Sequence, residues 1–146
     1  MELNKLIQNI KIVKQINNLN PEILGVTFNS NDVKPGYVFV CLNGVKTSGK
    51  NYVLNAINNG AVACVTEEEL DVEITQIVVE NARFALGIIC KQFYDNACDN
   101  LKIIMITGTN GKTSTSYLIN SILAHNNLKC ALIGTNGIYY DNKQLY

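Results

Sequence analysis

The stretch 103–113 constrains this chain more than any other feature of its sequence. Its letters, IIMITGTNGKT, describe an apolar strand, a short loop with two glycines, and a helix that opens with Lys-Thr. A helix N-terminus offers unpaired N–H donors and a partial positive charge, which suit a polyphosphate. Glycines let the loop backbone turn its N–H groups toward an anion. The motif therefore predicts a phosphate-binding loop between a buried strand at 102–107 and a helix at 112–126.

The residue types in this loop suit nucleotide chemistry. Lys112 can reach the β- and γ-phosphates of a nucleotide, and the Thr113 hydroxyl can bind Mg²⁺. The loop departs from the general G-x-x-x-x-G-K-[ST] pattern, because the first glycine of that pattern would fall at Ile106. We interpret it as a shorter variant that begins at Gly108. An ordinary glycine turn before Lys-Thr is the alternative, and the strand–loop–helix context disfavours it.

The magnesium site and the sheet around this loop are incomplete in the sequence. Phosphoryl transfer also needs a carboxylate for Mg²⁺. The only acidic residue after Thr113 is Asp141, which is more typical of a turn after a short strand at 138–140. Only one α/β unit follows the strand at 102–107, although such a strand is normally buried on both faces. The residues alone predict a small complete domain joined to the first third of an ATP-binding domain.

Composition narrows the remaining classes of protein. The 146 residues carry 12 basic and 12 acidic side chains, and 47% are hydrophobic. This neutral balance disfavours general nucleic-acid binding, and the apolar fraction disfavours disorder. No apolar run is long enough to span a membrane, and the first residues lack the pattern of a signal peptide. We expect a cytoplasmic protein that binds neither nucleic acid nor membrane.

The five cysteines predict reduced thiols packed as small hydrophobic residues. Their number is odd, and no pair has C-x-x-C spacing. His125 is the only histidine, so the sequence also disfavours a zinc site.

Hydrophobic periodicity predicts a small α/β layer domain before the phosphate loop. The predicted helices are one that carries Leu3, Leu6, Ile7 and Ile10, one at 52–57 and one at 82–95. The predicted strands are 24–28, 37–42, 61–65 and 74–79. After the loop we expect the helix 112–126 and a strand at 130–133. The buried side of that helix should carry Tyr117, Leu118, Ser121, Ile122 and Leu123. The predicted domain boundary follows Asn81.

Residues 107–113, TGTNGKT, resemble the phosphate loop of the Mur and folylpolyglutamate ligase superfamily. Four other segments are similar to the MurE type of Mur ligase: KPGYVFV at 34–40, the glycine loop and helix at 44–63, VENARFAL at 79–86, and ALIGTNG at 131–137. The MurF type usually has a serine after the first loop glycine and lacks an equivalent of Arg83. The chain thus resembles the N-terminal part of a MurE-type ligase along nearly its whole length.

The resemblance implies a first domain, residues 1–81, that binds the UDP end of a substrate. The implied UDP-binding residues are Phe28, Ser30, Val45, Lys46 and Thr47. The family's aspartate and arginine beside this serine are Asn29 and Asn31 here, and the aspartate of its G-x-x-x-D-G loop is Ser48. These changes remove charge-assisted hydrogen bonds, so we expect UDP recognition to be weaker or differently arranged.

The resemblance also implies that residues 82–146 form an incomplete central domain that binds ATP and Mg²⁺. The implied ATP-binding residues are Gly108, Thr109, Asn110, Gly111, Lys112, Thr113 and Ser114. Lys112 is the implied catalytic residue, because it offsets charge on the transferring phosphoryl group, and Thr113 is the implied metal ligand. In the implied reaction, ATP phosphorylates the D-glutamate side-chain carboxylate of UDP-MurNAc-L-Ala-D-Glu. The amine of meso-diaminopimelate or L-lysine then attacks the acyl phosphate.

Two alternatives stay open at this point. A truncated, non-catalytic UDP-sugar- or nucleotide-binding module would keep the same motifs, and the changes at Asn29, Asn31 and Ser48 favour it mildly. A MurF-type or folylpolyglutamate-type ligase would share the loop. The diamino acid is undetermined, because its pocket lies in the family's C-terminal domain. We expect no turnover from these 146 residues alone, and the apolar surface of an unfinished sheet favours self-association.

Overall fold

The computed structural model describes residues 1–44, 48–141 and 143–145. The chain forms two compact units, Met1–Leu101 and Lys102–Tyr146. Each unit has its own secondary structure and is described separately.

The first unit is an α/β layer built on a five-stranded sheet. Its helices are α1 (Leu3–Ile7), α2 (Val53–Asn58) and α3 (Ala82–Phe93), with short 3₁₀ turns at Ser30–Asp32, Gly49–Tyr52 and Ala97–Asn100. Its strands are β1 (Ile12–Ile16), β2 (Gly25–Thr27), β3 (Tyr37–Val40), β4 (Ala61–Thr66) and β5 (Thr75–Val79). Hydrophobic periodicity predicted all of these helices and strands except β1. That strand escaped prediction because Lys14 and Gln15 interrupt its apolar residues.

The strand order of this sheet is β1-β5-β4-β3-β2. The pairs β2–β3, β3–β4 and β4–β5 are parallel, and β1 pairs with β5 in the antiparallel sense. All five residues of β5 are buried, as expected of an inner strand covered on both faces. The buried Gln76 amide is satisfied, because its Nε2 donates to the backbone oxygens of Leu70 and Val72 at 2.8 and 3.1 Å.

Residues of the inner strands β3 and β4 enter two separate apolar clusters, one on each face of the sheet. Val38 and Val40 pack with α1 and α3 in the larger cluster, which includes Leu6, Ile77 and Ile89. Phe39 and Cys41 point the other way and pack with α2 residues Val53 and Ala56. The sheet therefore carries helices on both faces, and α2 lies on the opposite face from α1 and α3.

The first unit extends beyond the boundary that the sequence suggested. The sequence placed that boundary after Asn81, whereas the compact unit continues to Leu101. The physical reason is α3, whose residues Ala82, Ala85 and Ile89 are buried in the larger cluster. This helix belongs to the first unit because its apolar face is part of that core.

The second unit consists of α4 (Lys112–His125) and the strands β6 (Ala131–Gly134), β7 (Gly137–Tyr140) and β8 (Lys143–Gln144). These strands form an antiparallel meander. The rings of Tyr117 on α4 and Tyr139 on β7 meet edge to face, with centroids 5.7 Å apart.

The predicted strand at 102–107 is wrong, since these residues adopt no regular structure. Ile103, Ile104 and Met105 are 70%, 58% and 91% exposed. A strand needs a neighbouring strand to pair with its backbone N–H and C=O groups. Strand β6 pairs with β7 and not with residues 102–107. The predicted buried face of α4 is only partly covered. Tyr117 and Leu123 are half-buried, whereas Leu118 and Ile122 are more than half exposed, and no residue of the helix is fully buried.

All five cysteines are free thiols, as the sequence predicted, and Cys41 and Cys64 are buried. Among the described residues, no helix has both the length and the apolar character required to cross a bilayer.

Candidate functional site

The first candidate site is an open pocket of about 510 Å³ beside the carboxyl end of β2. Its lining residues are Phe28, Asn29, Ser30, Asn31, Tyr52 and Asn55. Strand β2 ends at Thr27, so Phe28 and the 3₁₀ turn that follows it leave the sheet at this edge. The carboxyl edge of parallel strands is where α/β sheets commonly bind ligands. The structure thus brings together the two residues, Phe28 and Ser30, that the sequence proposed as a uridine-contacting pair.

Ser30 is the buried polar residue of this pocket, with only 6% of its surface exposed. The Asn55 amide donates from Nδ2 to Ser30 Oγ at 3.0 Å. The Asn59 amide donates from Nδ2 to the Ser30 backbone oxygen at 2.9 Å. Residues on and just after α2 therefore fix both the side chain and the backbone of Ser30.

Asn29 and Asn31 take part in a network of side-chain hydrogen bonds around Ser30. Asn29 Oδ1 accepts a hydrogen bond from the Asn31 backbone N at 3.1 Å, and Asn29 Nδ2 donates to Asp32 Oδ2 at 2.8 Å. Asn31 Oδ1 accepts from Asn55 Nδ2 at 3.3 Å. The turn around Ser30 is therefore held in shape without an aspartate or an arginine at these two positions.

Two aromatic side chains supply flat apolar surface to the pocket. Phe28 is 61% exposed and Tyr52 is 44% exposed. Solvent-exposed aromatic rings such as these can stack on the face of a nucleobase, and this stacking tolerates any base. The pocket thus combines aromatic surface with one buried hydroxyl and several amides.

Sequence reasoning missed Tyr52, Asn55 and Asn59 as site residues. The apolar pattern at 52–57 identified Tyr52 only as part of a short helix, Asn59 was identified only as part of the turn and segment that follow it, and Asn55 carried no motif. A usable signal was present, since positions 52, 55 and 59 have the i, i+3, i+7 spacing of one helical face.

The predicted second contact loop is only partly described. Val45, Lys46 and Thr47 lie outside the described residues, but both flanks of the loop are defined. Ser48 donates from Oγ to Asn43 Oδ1 at 2.6 Å. Asn43 Nδ2 in turn donates to Glu67 Oε2 at 2.7 Å. The base of the loop is therefore closed by side-chain hydrogen bonds.

Glu67 connects this loop to the start of α3. Its Oε1 accepts a hydrogen bond from the Ala82 backbone N at 2.9 Å, which is an otherwise unpaired donor in the first turn of the helix. Arg83, the next residue, is exposed and makes no hydrogen bond or ion pair with the described part of the chain.

The second candidate site is the predicted phosphate loop. Gly111 precedes α4 with φ +76°, in the left-handed region that favours glycine. The backbone N of Thr115 donates to the Gly111 oxygen at 2.9 Å and begins the helix. The Lys112 ammonium folds back over the loop and donates to the backbone oxygens of Gly108 and Thr109 at 2.6 and 3.2 Å. The loop thus places a cation beside the N-terminus of a 14-residue helix.

The predicted ATP-binding residues, 108–114, all lie on this loop and in the first turn of α4. All are exposed except Thr113, which is half-buried. The Thr113 hydroxyl makes no hydrogen bond within the described part of the chain, so it is available to a ligand. Asp141 occupies a turn after β7 with φ +50°, as the sequence favoured. No cluster of three or more His, Cys, Asp or Glu side chains among the described residues could hold a metal ion.

The shifted pKa values belong to residues outside both sites. A hydrogen bond with Cys64, together with burial, raises the pKa of Cys41 far above its usual range. Burial raises the pKa of the Cys90 thiol. A hydrogen bond with Tyr117 raises the pKa of Tyr139. The raised pKa values favour the protonated form of the Cys41 and Cys90 thiols at neutral pH.

Comparison with known families decides the relationship. The family model described as "Mur ligase family, catalytic domain" matches residues 22–94, which is half of the chain. The model described as "Mur ligase middle domain" matches residues 106–145. The chain belongs to the Mur ligase family.

Curated members of this family resemble the chain along its whole length. A UDP-N-acetylmuramoyl-L-alanyl-D-glutamate–2,6-diaminopimelate ligase of Alkaliphilus oremlandii is 40% identical over 146 residues, covering 99% of this chain and 30% of that protein. A UDP-N-acetylmuramyl-tripeptide synthetase 2 of Oceanobacillus iheyensis is 38% identical and also matches over 30% of its own length. The chain thus spans about a third of the length of these relatives.

Solved structures agree with the predicted fold class. A structure of a UDP-N-acetylmuramoyl-L-alanyl-D-glutamate–2,6-diaminopimelate ligase matches with a TM-score of 0.73 and 28% identity, over 99% of this chain and 29% of that one. A MurF structure from Acinetobacter baumannii matches with a TM-score of 0.65 and 29% identity, over 84% of this chain and 26% of that one. The predicted α/β domain followed by the first elements of a Mur ligase central domain is confirmed, apart from the strand at 102–107.

Proposed function

We propose that this Mur ligase chain is the N-terminal part of a MurE-type enzyme. Such an enzyme joins meso-diaminopimelate or L-lysine to UDP-MurNAc-L-Ala-D-Glu in an ATP-dependent ligation. The single observation that carries the proposal is the pocket formed by Phe28 and Ser30. Residues that the family resemblance singled out for uridine line one cavity at the carboxyl edge of the sheet.

In this proposal the first unit holds the UDP end of the substrate. Phe28 and Tyr52 supply faces for the uracil ring, and Ser30 offers a hydrogen bond to its edge. Lys46 supplies a positive charge for the diphosphate from the loop 45–47. The hydrogen bonds from Ser48 to Asn43 and from Asn43 to Glu67 support this role by closing the base of that loop.

The second unit would hold the phosphates of ATP. The backbone N–H groups of residues 108–113 and the helix N-terminus favour the triphosphate, and Lys112 neutralises charge on the transferring phosphoryl group. Thr113 would be one ligand of Mg²⁺, with the remaining ligands coming from phosphate oxygens and from other residues. Mg²⁺, when bound, stabilises negative charge that develops on the phosphate oxygens. The one free hydroxyl of Thr113 is enough for a single Mg²⁺ ligand, but it is not enough for a complete metal site.

The activity would belong to the longer enzyme. The described residues supply one hydroxyl and no acidic cluster for the metal, so these 146 residues alone should bind substrate without turning it over. We also propose that the enzyme acts in the cytoplasm, because five free cysteines suit a reducing compartment.

A binding and ligation assay on the 146-residue chain tests the proposal. We expect UDP-MurNAc-L-Ala-D-Glu to bind and Phe28→Ala to weaken that binding, with neither ADP nor tripeptide product formed. Leu54→Ala is a matched control, because Leu54 is 64% exposed and does not line the pocket. No binding of the UDP substrate, or ligation by the chain alone, would contradict the proposal.

A MurF-type enzyme is the second candidate, because MurF structures match this chain at 29% identity. It would accept a UDP-MurNAc-tripeptide and a dipeptide instead of a single diamino acid. A complete enzyme that prefers the tripeptide would establish it. A non-catalytic module would bind the same ligands, and sequencing the source gene beyond codon 146 separates it from both ligases.

A further inference from the structure

The Asn55 amide determines how the buried Ser30 hydroxyl can be used. Asn55 Nδ2 donates one hydrogen to Ser30 Oγ at 3.0 Å and another to Asn31 Oδ1 at 3.3 Å. Two oxygens share this one nitrogen, which is the arrangement expected of an NH₂ group with two hydrogens. The Ser30 oxygen is therefore already an acceptor before any ligand arrives.

A hydroxyl has a single hydrogen to donate. Because Ser30 Oγ accepts from Asn55, its own hydrogen is left for another acceptor. Within the described part of the chain no group accepts it, and Ser30 lines the pocket. The hydroxyl is thus set to donate into the pocket.

We propose that Asn55 is a positioning residue that fixes Ser30 as a hydrogen-bond donor, so that the pocket selects uracil over cytosine. This inference rests on the proposed uridine function of the same pocket. The two pyrimidines differ in the group at position 4, where uracil has a carbonyl oxygen and cytosine has an amino group. A carbonyl accepts the Ser30 hydrogen, whereas an amino group could bond only to the remaining lone pair of Ser30 Oγ and would leave that hydrogen without a partner.

The backbone around Ser30 is held firmly enough for this discrimination. Asn59 donates to the Ser30 backbone oxygen at 2.9 Å, and Asn29 fixes the turn through the Asn31 backbone N at 3.1 Å. A site built to hydrogen-bond one group rejects an analogue that leaves it unpaired, since buried polar groups need partners.

Asn55→Asp tests the inference because it reverses the polarity with almost no change in shape. A carboxylate can only accept, so Ser30 would donate to Asp and present its lone pair to the pocket. Calorimetric titration of the 146-residue chain with UDP and with CDP gives the ratio of the two affinities. We expect the wild-type chain to prefer UDP, and the preference to fall about tenfold or to reverse in Asn55→Asp.

Asn58→Asp is the matched control. Asn58 is exposed on the same helix and does not line the pocket, so its carboxylate adds the same charge without touching Ser30. Both nucleotides carry the same diphosphate, and a simple charge effect would weaken both equally. Asn55→Ala is a second variant, in which Ser30 can rotate and the preference should move toward equality.

The outcomes separate this inference from the proposed function. A wild-type preference for UDP that falls in Asn55→Asp but not in Asn58→Asp supports the inference. UDP binding with the same UDP-to-CDP ratio in every variant would overturn the role of Asn55 and leave the uridine function standing. Failure of the wild-type chain to bind UDP would overturn both.

Discussion

Replacement of Gly49 by alanine should destabilise the first unit, because Gly49 lies against the backbone of the two residues that follow Val40, the last residue of β3. A Cβ atom at this position would lie 2.5 Å from the Leu42 N and 2.8 Å from both Cys41 C and Cα. Carbon atoms pack well at about 3.5–4.0 Å, so the overlap is nearly 1 Å. All three neighbours are backbone atoms, and the strand cannot rotate them out of the way.

The size of the effect follows from what must move. Shifting a packed backbone to admit a methyl group costs about 1–3 kcal/mol. The hydrogen bond from Gly49 N to Leu42 O, now 2.9 Å long, would weaken and cost about 1 kcal/mol more. Alanine restricts the unfolded chain and returns about 0.4–1 kcal/mol. The net expectation is a loss of about 1–3 kcal/mol in the free energy of unfolding.

Urea unfolding followed by far-UV circular dichroism measures this loss, with Gly87→Ala as the control. Gly87 lies within α3, and a Cβ there would meet nothing within 4 Å. Alanine at that position should stabilise the chain by about 0.5–1 kcal/mol, because glycine is a poor helix former. The argument is refuted if Gly49→Ala is as stable as the wild type.

Three further predictions concern the phosphate loop, the buried thiols and the exposed apolar segment. Lys112→Ala should weaken ATP binding about 10- to 100-fold, because a charge-assisted hydrogen bond to the phosphates is lost. Lys129 is an exposed lysine, and Lys129→Ala should leave ATP binding unchanged. Titration with labelled ATP measures both affinities, and equal losses in the two variants would contradict the role of Lys112. Because the pKa of Cys41 is raised in the folded state, its contribution to stability is complete below about pH 8.5, where the unfolded thiol ionises, and is lost as the pH rises further. Between pH 7 and pH 10, the urea midpoint of unfolding should fall more for the wild type than for Cys41→Ala. An equal fall in the two proteins would rule out this contribution of Cys41. The exposed Ile103, Ile104 and Met105 should make the chain self-associate, and a strictly monomeric sedimentation profile at high concentration would count against this.

The sequence was most informative where local physics decides the structure. The alternation of Val38, Phe39, Val40 and Cys41 between two cores follows from the period of a strand, and the helix after Gly111 follows from the glycine and the apolar pattern beyond it. Phe28 and Ser30 were placed by family resemblance and share one pocket in the structure.

The failures share a physical cause, which is that long-range contacts override local pattern. Residues 102–107 have every local property of a buried strand, but a strand forms only beside a partner, and β6 pairs with β7. Strand β1 has a weak local pattern and forms because β5 offers an edge. The spacing of Tyr52 and Asn55 indicates that they share one face, but their roles depend on where α2 packs against the turn at Ser30, and the spacing does not encode that contact.

Residue-resolved NMR of the 146-residue chain during titration with UDP tests the central claim most directly. The account predicts saturable shifts of the backbone amides of Phe28, Ser30, Tyr52 and Asn55, with smaller changes on the face of the sheet that carries α1 and α3. Shifts confined to residues 108–114, or no saturable shifts at all, would contradict the assignment of the pocket to uridine.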